Sequence, residues 1–321
     1  MYNDTYLIPE WRTAEKREIR QGIGDGLVEL GAHHDDVLVL TADVAGNVRV
    51  RGFAQAYPDR FIDVGVAEQN LIGTAAGLAF TGYVPFTATY ATFSPGRSWE
   101  QIRVSVALSQ ANVKIIGGHA GVATGLNGPS HQATEDFALM RILPHMTVLV
   151  PTDYEQARAS VQAAYAQPGP VYIRSIRPST ANFTKPSTFT IGAAYVYREG
   201  RDATILACGS QVYDALVIAE RLVSQGIELE VVNVSSLKPL DTETITRSIA
   251  KTKKAITIED HLIVGGLGGL IAELVTATLP VPLLRLGVAD RFGISAPPEA
   301  VYRAVGLDIE TLERRISAFV R

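Results

Sequence analysis

Short apolar, β-branched runs alternate with stretches of helix formers along almost the whole chain. That alternation leaves few folds open, because strands separated by helices can pair in parallel and bury both faces of their sheet. Residues 37–40 (VLVL), 84–88, 113–117, 146–150 and 171–174 read as strands. Residues 68–80 (EQNLIGTAAGLAF), 98–110 and 153–166 read as helices, the second amphipathic with Ile102, Val106 and Ser109 at helical spacing.

The pattern pauses over residues 178–190 (PSTANFTKPSTFT), rich in Pro, Ser and Thr, which read as an interdomain linker. It then resumes, with strands expected over 204–207, 229–234, 254–258 and 283–287 and helices over 211–225, 269–278 and 298–319. The 321 residues exceed one ordinary core at roughly 100–200 residues per domain. Two α/β domains are expected, over 1–180 and 193–321, with the linker at 181–192. A net charge of −4 with no Lys/Arg run argues against a nucleic-acid surface. The single Cys208 permits no internal disulfide, the opening MYNDTYLIPEWRTAEKREIR does not read as a signal peptide, and no apolar run approaches a membrane span. A cytoplasmic α/β protein is expected.

Four motifs could carry chemistry. Asp63-Val-Gly-Val-Ala-Glu68-Gln69-Asn70 sets a carboxylate at a helix start, where the helix dipole favours it. Alone it reads as a cap, but Gln69 and Asn70 add polar groups where a helix should enter its core. Tyr90 and Phe93, spaced i, i+3 in VPFTATYATFSPGR, suit core packing, or two rings standing around a flat heterocycle. His119-Ala-Gly-Val-Ala-Thr-Gly-Leu-Asn127-Gly-Pro-Ser-His131 is a Gly-rich loop leaving a strand, the place where open α/β sheets bind ligands. A metal site is the weaker reading, since the loop holds no Asp, Glu or Cys. Arg174-Ser-Ile-Arg177-Pro, at a strand end, reads as an anion clamp or as a surface ion pair.

Taken together and in this order, DVGVAEQNLIGTAAGLAF, TATYATFSPGRSWEQIR and HAGVATGLNGPSHQ resemble the transketolase family, and the stretch containing IEDHLIVGGLGG resembles its C-terminal domain. The resemblance covers nearly the whole chain, but only the second half of a full-length transketolase. It implies two three-layer α/β/α domains: a mostly parallel-sheet thiamine-diphosphate pyrimidine-binding domain, then a smaller C-terminal domain. The family's additional N-terminal domain holds the diphosphate and a divalent metal on a Gly-Asp-Gly stretch with a following Asn. Gly24-Asp25-Gly26 lies in the first amphipathic helix and lacks that Asn, so it is set aside. The implied arrangement is a split enzyme, with a separate subunit carrying the diphosphate and Mg²⁺ or Ca²⁺. By analogy the assembly is an α2β2 heterotetramer with a contact between two copies of this chain.

The resemblance also implies roles. Glu68 falls at the glutamate that bonds the aminopyrimidine ring and favours its imino tautomer, and burial in an apolar pocket keeps such an acid protonated. Tyr90 and Phe93 match aromatic positions of the pyrimidine pocket, while Gly96 stands where some relatives have a third ring. His119, Arg177 and Arg20 match phosphate-contacting positions, and Asn47 stands where some relatives have a phosphate-binding Ser. His131 matches a histidine near the reacting carbons. Asn127 departs from the usual Asp: the shape is the same, but the charge is gone and a donor is gained. The implied activity is transfer of a two-carbon ketol unit from a phosphorylated ketose to an aldose. The alternatives are a 1-deoxyxylulose-5-phosphate synthase-like chain, a 2-oxo acid dehydrogenase β-type subunit, and a regulatory or scaffold subunit.

Overall fold

The computed structural model describes residues 1–187 and 189–321. In chain order the first half contains β1 (Lys16–Glu18), α1 (Ile19–Gly31), β2 (Val37–Thr41), α2 (Arg51–Ala56), β3 (Phe61–Asp63), α3 (Glu68–Phe80), β4 (Val84–Tyr90) and α4 (Trp99–Gln101). It continues with β5 (Lys114–Gly118), α5 (Asp136–Arg141), β6 (Thr147–Leu149), α6 (Tyr154–Ala166), β7 (Val171–Arg174) and β8 (Ser179–Ala181). The second half contains β9 (Tyr195–Arg198), β10 (Ala203–Ala207), α7 (Gln211–Val223), β11 (Leu229–Asn233), β12 (Ser236–Lys238) and α8 (Thr242–Thr252). It ends with β13 (Ala255–Leu262), α9 (Leu267–Thr278), β14 (Leu283–Val288), α10 (Pro298–Val305) and α11 (Ile309–Val320).

The first sheet has the order β12-β6-β7-β5-β4-β2-β3, parallel except for the edge pair β12–β6. Strands β2, β4, β5, β6 and β7 are buried along their whole length, which is why they read as continuous apolar runs. The second sheet, β14-β13-β10-β11-β9, is parallel except for β9. The α/β class with mostly parallel sheets is as the sequence implied. Gly24-Asp25-Gly26 lies inside α1 and serves packing: a Cβ at Gly24 would overlap the Arg49 carbonyl oxygen, and Asp25 accepts the Tyr154 hydroxyl at 2.6 Å.

Two expectations gain detail from the structure. The Pro/Ser/Thr-rich stretch is held down by named contacts. Its residues 179–181 pair antiparallel with β1, and Phe183 is fully buried. Buried Asp153 explains this: it caps α6 through the Gln156 N–H and also accepts the amides of Phe183 and Thr184 and the Thr184 hydroxyl. The buried backbone of this polar stretch thereby finds hydrogen-bond partners. Of the expected linker 181–192, Thr188 lies outside the described residues. The expected helix over 98–110 is α4 followed by a π-helical stretch, Ile102–Leu108, and Ser109 faces solvent while Ile102, Val106 and Ala107 face the core. The wider turn changes which positions point inward.

The two halves share a core. β12, from the second half, extends the first sheet at β6, and Val148 and Val150 pack in one apolar cluster with Leu206, Cys208, Val232 and Ile249. The N-terminal residues Leu7 and Trp11 pack with the second sheet's other face, and Tyr2 bridges to Arg198.

Candidate active site

The carboxyl ends of β2, β4, β5 and β7 lie along one edge of the first sheet, and each feeds a polar side chain into the same place. Asn47 and Arg49 follow β2, Tyr90 ends β4, His119 follows β5 and Arg177 follows β7. Arg20 adds a guanidinium from the first turn of α1. Together with Gly46 and Asn127 these residues line a cavity of about 250 Å³. Five residues singled out in the sequence as substrate contacts thus converge: Arg20, Asn47, His119, Asn127 and Arg177.

The electrostatics of this cavity rest on Glu18. Its carboxylate accepts Nε and Nη2 of Arg49 at 2.7 and 2.9 Å and Nε and Nη2 of Arg20 at 3.1 and 3.0 Å. The hydrogen bonds from Arg49 and then Arg20 outweigh burial and hold its pKa down at about 2. One carboxylate against the guanidiniums of Arg20, Arg49 and Arg177 leaves an excess of positive charge. Such a cavity favours an anion with oxygens that accept planar donors.

His119 sits at the centre, with φ +57° and its ring stacked on Tyr90 at 4.1 Å. Arg20 Nη1 lies 3.3 Å from His119 Nε2. Arginine can only donate, so Nε2 accepts and the proton resides on Nδ1. Nδ1 is buried without a hydrogen-bond partner. Burial, reinforced by Arg20 and Arg177, pushes the His119 pKa down to about 3. The imidazole is therefore a neutral hydrogen-bonding group, not a third kind of cation.

Glu68 begins α3 and is buried, whereas Gln69 and Asn70 point to solvent, so the expected cluster of three inward polar groups reduces to one. Arg97 Nη1 donates to Glu68 Oε2 at 2.9 Å, and the same guanidinium lies 4.7 Å from the centre of the Phe93 ring. The pocket expected to be apolar is shared with a cation. That arrangement is informative: a planar, delocalised N–C–N group already sits against both a carboxylate and an aromatic face. A flat nitrogen heterocycle can make the same two contacts. Phe93 continues the strip toward the cavity, nearly parallel to Tyr90 at 6.0 Å and edge-to-face with His131 at 5.4 Å.

Of the Arg174/Arg177 motif, only Arg177 reaches the cavity. Arg174 is buried in an ion pair with Asp136 at 2.9 Å. Three contributors were not singled out in the sequence: Glu18, Arg49 and Arg97. Arg49 stands two residues beyond Asn47 and Arg97 four beyond Phe93, but spacing alone did not distinguish them from surface arginines. Among the described residues no group of three or more His, Cys, Asp and Glu is placed to hold a metal ion.

Comparison with known proteins identifies the family. The family model of the transketolase pyrimidine binding domain matches residues 15–182, and that of the transketolase C-terminal domain matches residues 192–312. The chain is 42% identical over 301 residues to the 6-deoxy-6-sulfo-D-fructose transketolase subunit SqwH of a Clostridium species, covering 94% of each chain. It is 35% identical over 304 residues to one of the subunits of the apulose-4-phosphate transketolase of Phocaeicola vulgatus, covering 94% of this chain and 97% of that one. A solved structure described as a split gene transketolase, inactive beta4 tetramer, superposes with a TM-score of 0.88 at 41% identity, covering 94% of this chain and 98% of that one. The chain belongs to the transketolase family and carries its pyrimidine-binding and C-terminal domains.

Proposed function

We propose that this chain is the pyrimidine-side subunit of a two-subunit, thiamine-diphosphate-dependent transketolase whose donor is an anionic ketose. The observation that carries the reading is one continuous strip: Glu68 and the Phe93 face at one end, His131, Tyr90 and His119 in the middle, and the Arg20/Arg49/Arg177 cavity at the other. The seat that Arg97 fills fits the aminopyrimidine of thiamine diphosphate. When bound, that cofactor supplies the nucleophilic carbon that carries a two-carbon unit. Glu68 hydrogen-bonds the ring and Phe93 covers its face. His119, a neutral ring beside Arg20, and His131 contact the substrate oxygens nearer the cofactor. Asn127 offers an amide donor and acceptor without charge. Arg20, Arg49 and Arg177, with Asn47, hold the distal anion. The names of the two relatives carry a sulfo sugar and a sugar phosphate, both anionic.

In this reading the diphosphate and its Mg²⁺ or Ca²⁺ belong to a separate subunit, in an α2β2 heterotetramer. The split-gene structure described as an inactive β4 tetramer supports the corollary that this chain alone self-associates and is inactive. Val66, 72% exposed beside Glu68, and Leu126, 69% exposed on the His119 loop, leave apolar surface at the rim for that partner. The domain division at 1–180, 181–192 and 193–321 belongs to the same reading, as does a cytoplasmic location. No described helix is long and apolar enough to cross a membrane.

The test is reconstitution. The chain, a candidate diphosphate-domain subunit, thiamine diphosphate and Mg²⁺ should together transfer two carbons from a sugar phosphate or sulfo sugar to an aldose, and neither chain should do so alone. Glu68→Ala should abolish transfer. No transfer with any partner, or full activity in Glu68→Ala, would overturn the reading.

A further inference from the structure

The loop between β5 and α5 carries His119, Asn127 and His131, and much of what fastens it comes from the second domain. Asp260, near the end of β13, is buried against it. Asp260 Oδ1 accepts the Val122 N–H at 2.9 Å, and Oδ2 accepts the hydroxyl of Tyr302, on α10, at 3.1 Å. Gly121 has φ +73°, and a Cβ there would overlap the Asp260 carboxylate, so the loop backbone lies directly on it. Further along, Ser295 Oγ donates to the Leu126 carbonyl at 2.7 Å, and Gln132 Nε2 donates to the carbonyls of Val122 and Ile294 at 3.2 and 2.9 Å. Inside the loop, Thr124 Oγ1 closes the turn by donating to the His119 and His131 carbonyls at 2.7 and 3.1 Å.

We propose that Asp260 is a positioning residue: through Val122 it sets the substrate loop, and so the orientation of His119 and the placement of Asn127 and His131. This rests on the reading of those three as substrate residues. A carboxylate buried in a domain seam is costly to desolvate, and well-packed apolar residues often replace buried charge at no loss of stability. Its oxygens are instead aimed at a loop amide and at a tyrosine that fixes the carboxylate from behind. Arg174 Nη2 donates to the Asp260 carbonyl at 2.6 Å, tying the same residue to the end of β7. The second domain thereby shapes a site whose substrate residues all lie in the first.

The test uses the full chain and the reconstituted complex, with Asp260→Ala, Asp260→Asn and Tyr302→Phe. In the chain alone, amide exchange over residues 119–131 should quicken about tenfold in Asp260→Ala, which loses the Val122 acceptor, and about threefold in Tyr302→Phe. Asp260→Asn keeps an acceptor oxygen and should stay near wild type. In the complex, Asp260→Ala should raise the KM for the ketose about tenfold with kcat within about threefold, and Asp260→Asn should restore it. If Asp260→Ala does not fold, Tyr302→Phe decides by the same two measurements. Unchanged loop exchange, or exchange that quickens equally in β10 and β13, overturns the proposal. So does an unmoved KM. If the wild-type complex transfers nothing, the functional reading fails while the exchange measurement still decides the positioning.

Discussion

Arg97 donates from Nη1 to Glu68 Oε2 at 2.9 Å while its guanidinium lies over the Phe93 ring at 4.7 Å. Arg97 is half exposed and Glu68 is 3% exposed, so the partner free to leave is the arginine. A bound pyrimidine and this guanidinium would compete for one seat. Arg97→Ala is therefore expected to lower the apparent Kd for thiamine diphosphate in the reconstituted enzyme about three- to tenfold, by removing an internal occupant. Cofactor titration of activity measures it. Weaker binding in the variant would show that the guanidinium holds the cofactor instead of standing in for it.

Arg49 uses Nε and Nη2 on Glu18 and lines the cavity. Arg49→Gln removes one positive charge and the fork geometry but keeps a donor. The KM for a phosphorylated or sulfonated ketose should rise about tenfold with little change in kcat, while a neutral ketose should be unaffected. Equal effects on charged and neutral donors would place Arg49 outside the anion site.

The His119 pKa is held at about 3 by burial and by Arg20 and Arg177. Its folded value lies below the unfolded value of about 6.5, so between the two the unfolded chain binds more protons. The neutral ring's contribution is fully present above about pH 6.5 and is lost as pH falls toward 3, at no more than about 1.4 kcal/mol per pH unit. Urea unfolding at pH 7.5 and pH 5 should show this slope, reduced in His119→Asn. The His119 ring carbon signals should not titrate between pH 5 and 8; a midpoint near 6.5 would contradict the buried, cation-flanked placement.

Gly24 holds α1 against the backbone that carries Arg49, since a Cβ there would overlap the Arg49 carbonyl. Gly24→Ala should cost about 1–3 kcal/mol by overpacking, read from urea unfolding. A neutral result would mean that the close approach does not exist in solution.

Much of the fold was legible from local pattern. Residues 171–174 and 68–80 were read with the bounds the structure shows, because fully buried parallel strands and small-residue helices leave continuous signals. The site was legible as far as it is strung along strand ends, which put His119, Asn127, His131 and Arg177 on successive loops of one sheet edge. The anchoring of the stretch over 178–190 was not legible, because polar composition does not reveal that Asp153 waits inside to bond its backbone.

The sequence by itself determined the alternation, the family and which side chains could do chemistry, since period and motif are local properties of the chain. Only the tertiary structure decided how those side chains are paired. Glu18 divides itself between two arginines, Arg97 fills the place before Glu68, and Asp260 reaches Val122 across 138 positions of sequence. Charge and hydrogen-bond partners are set by distance in space, and burial then fixes their strength. Glu68, the carboxylate most visible as a motif, is thus the one whose partner, Arg97, the motif did not reveal.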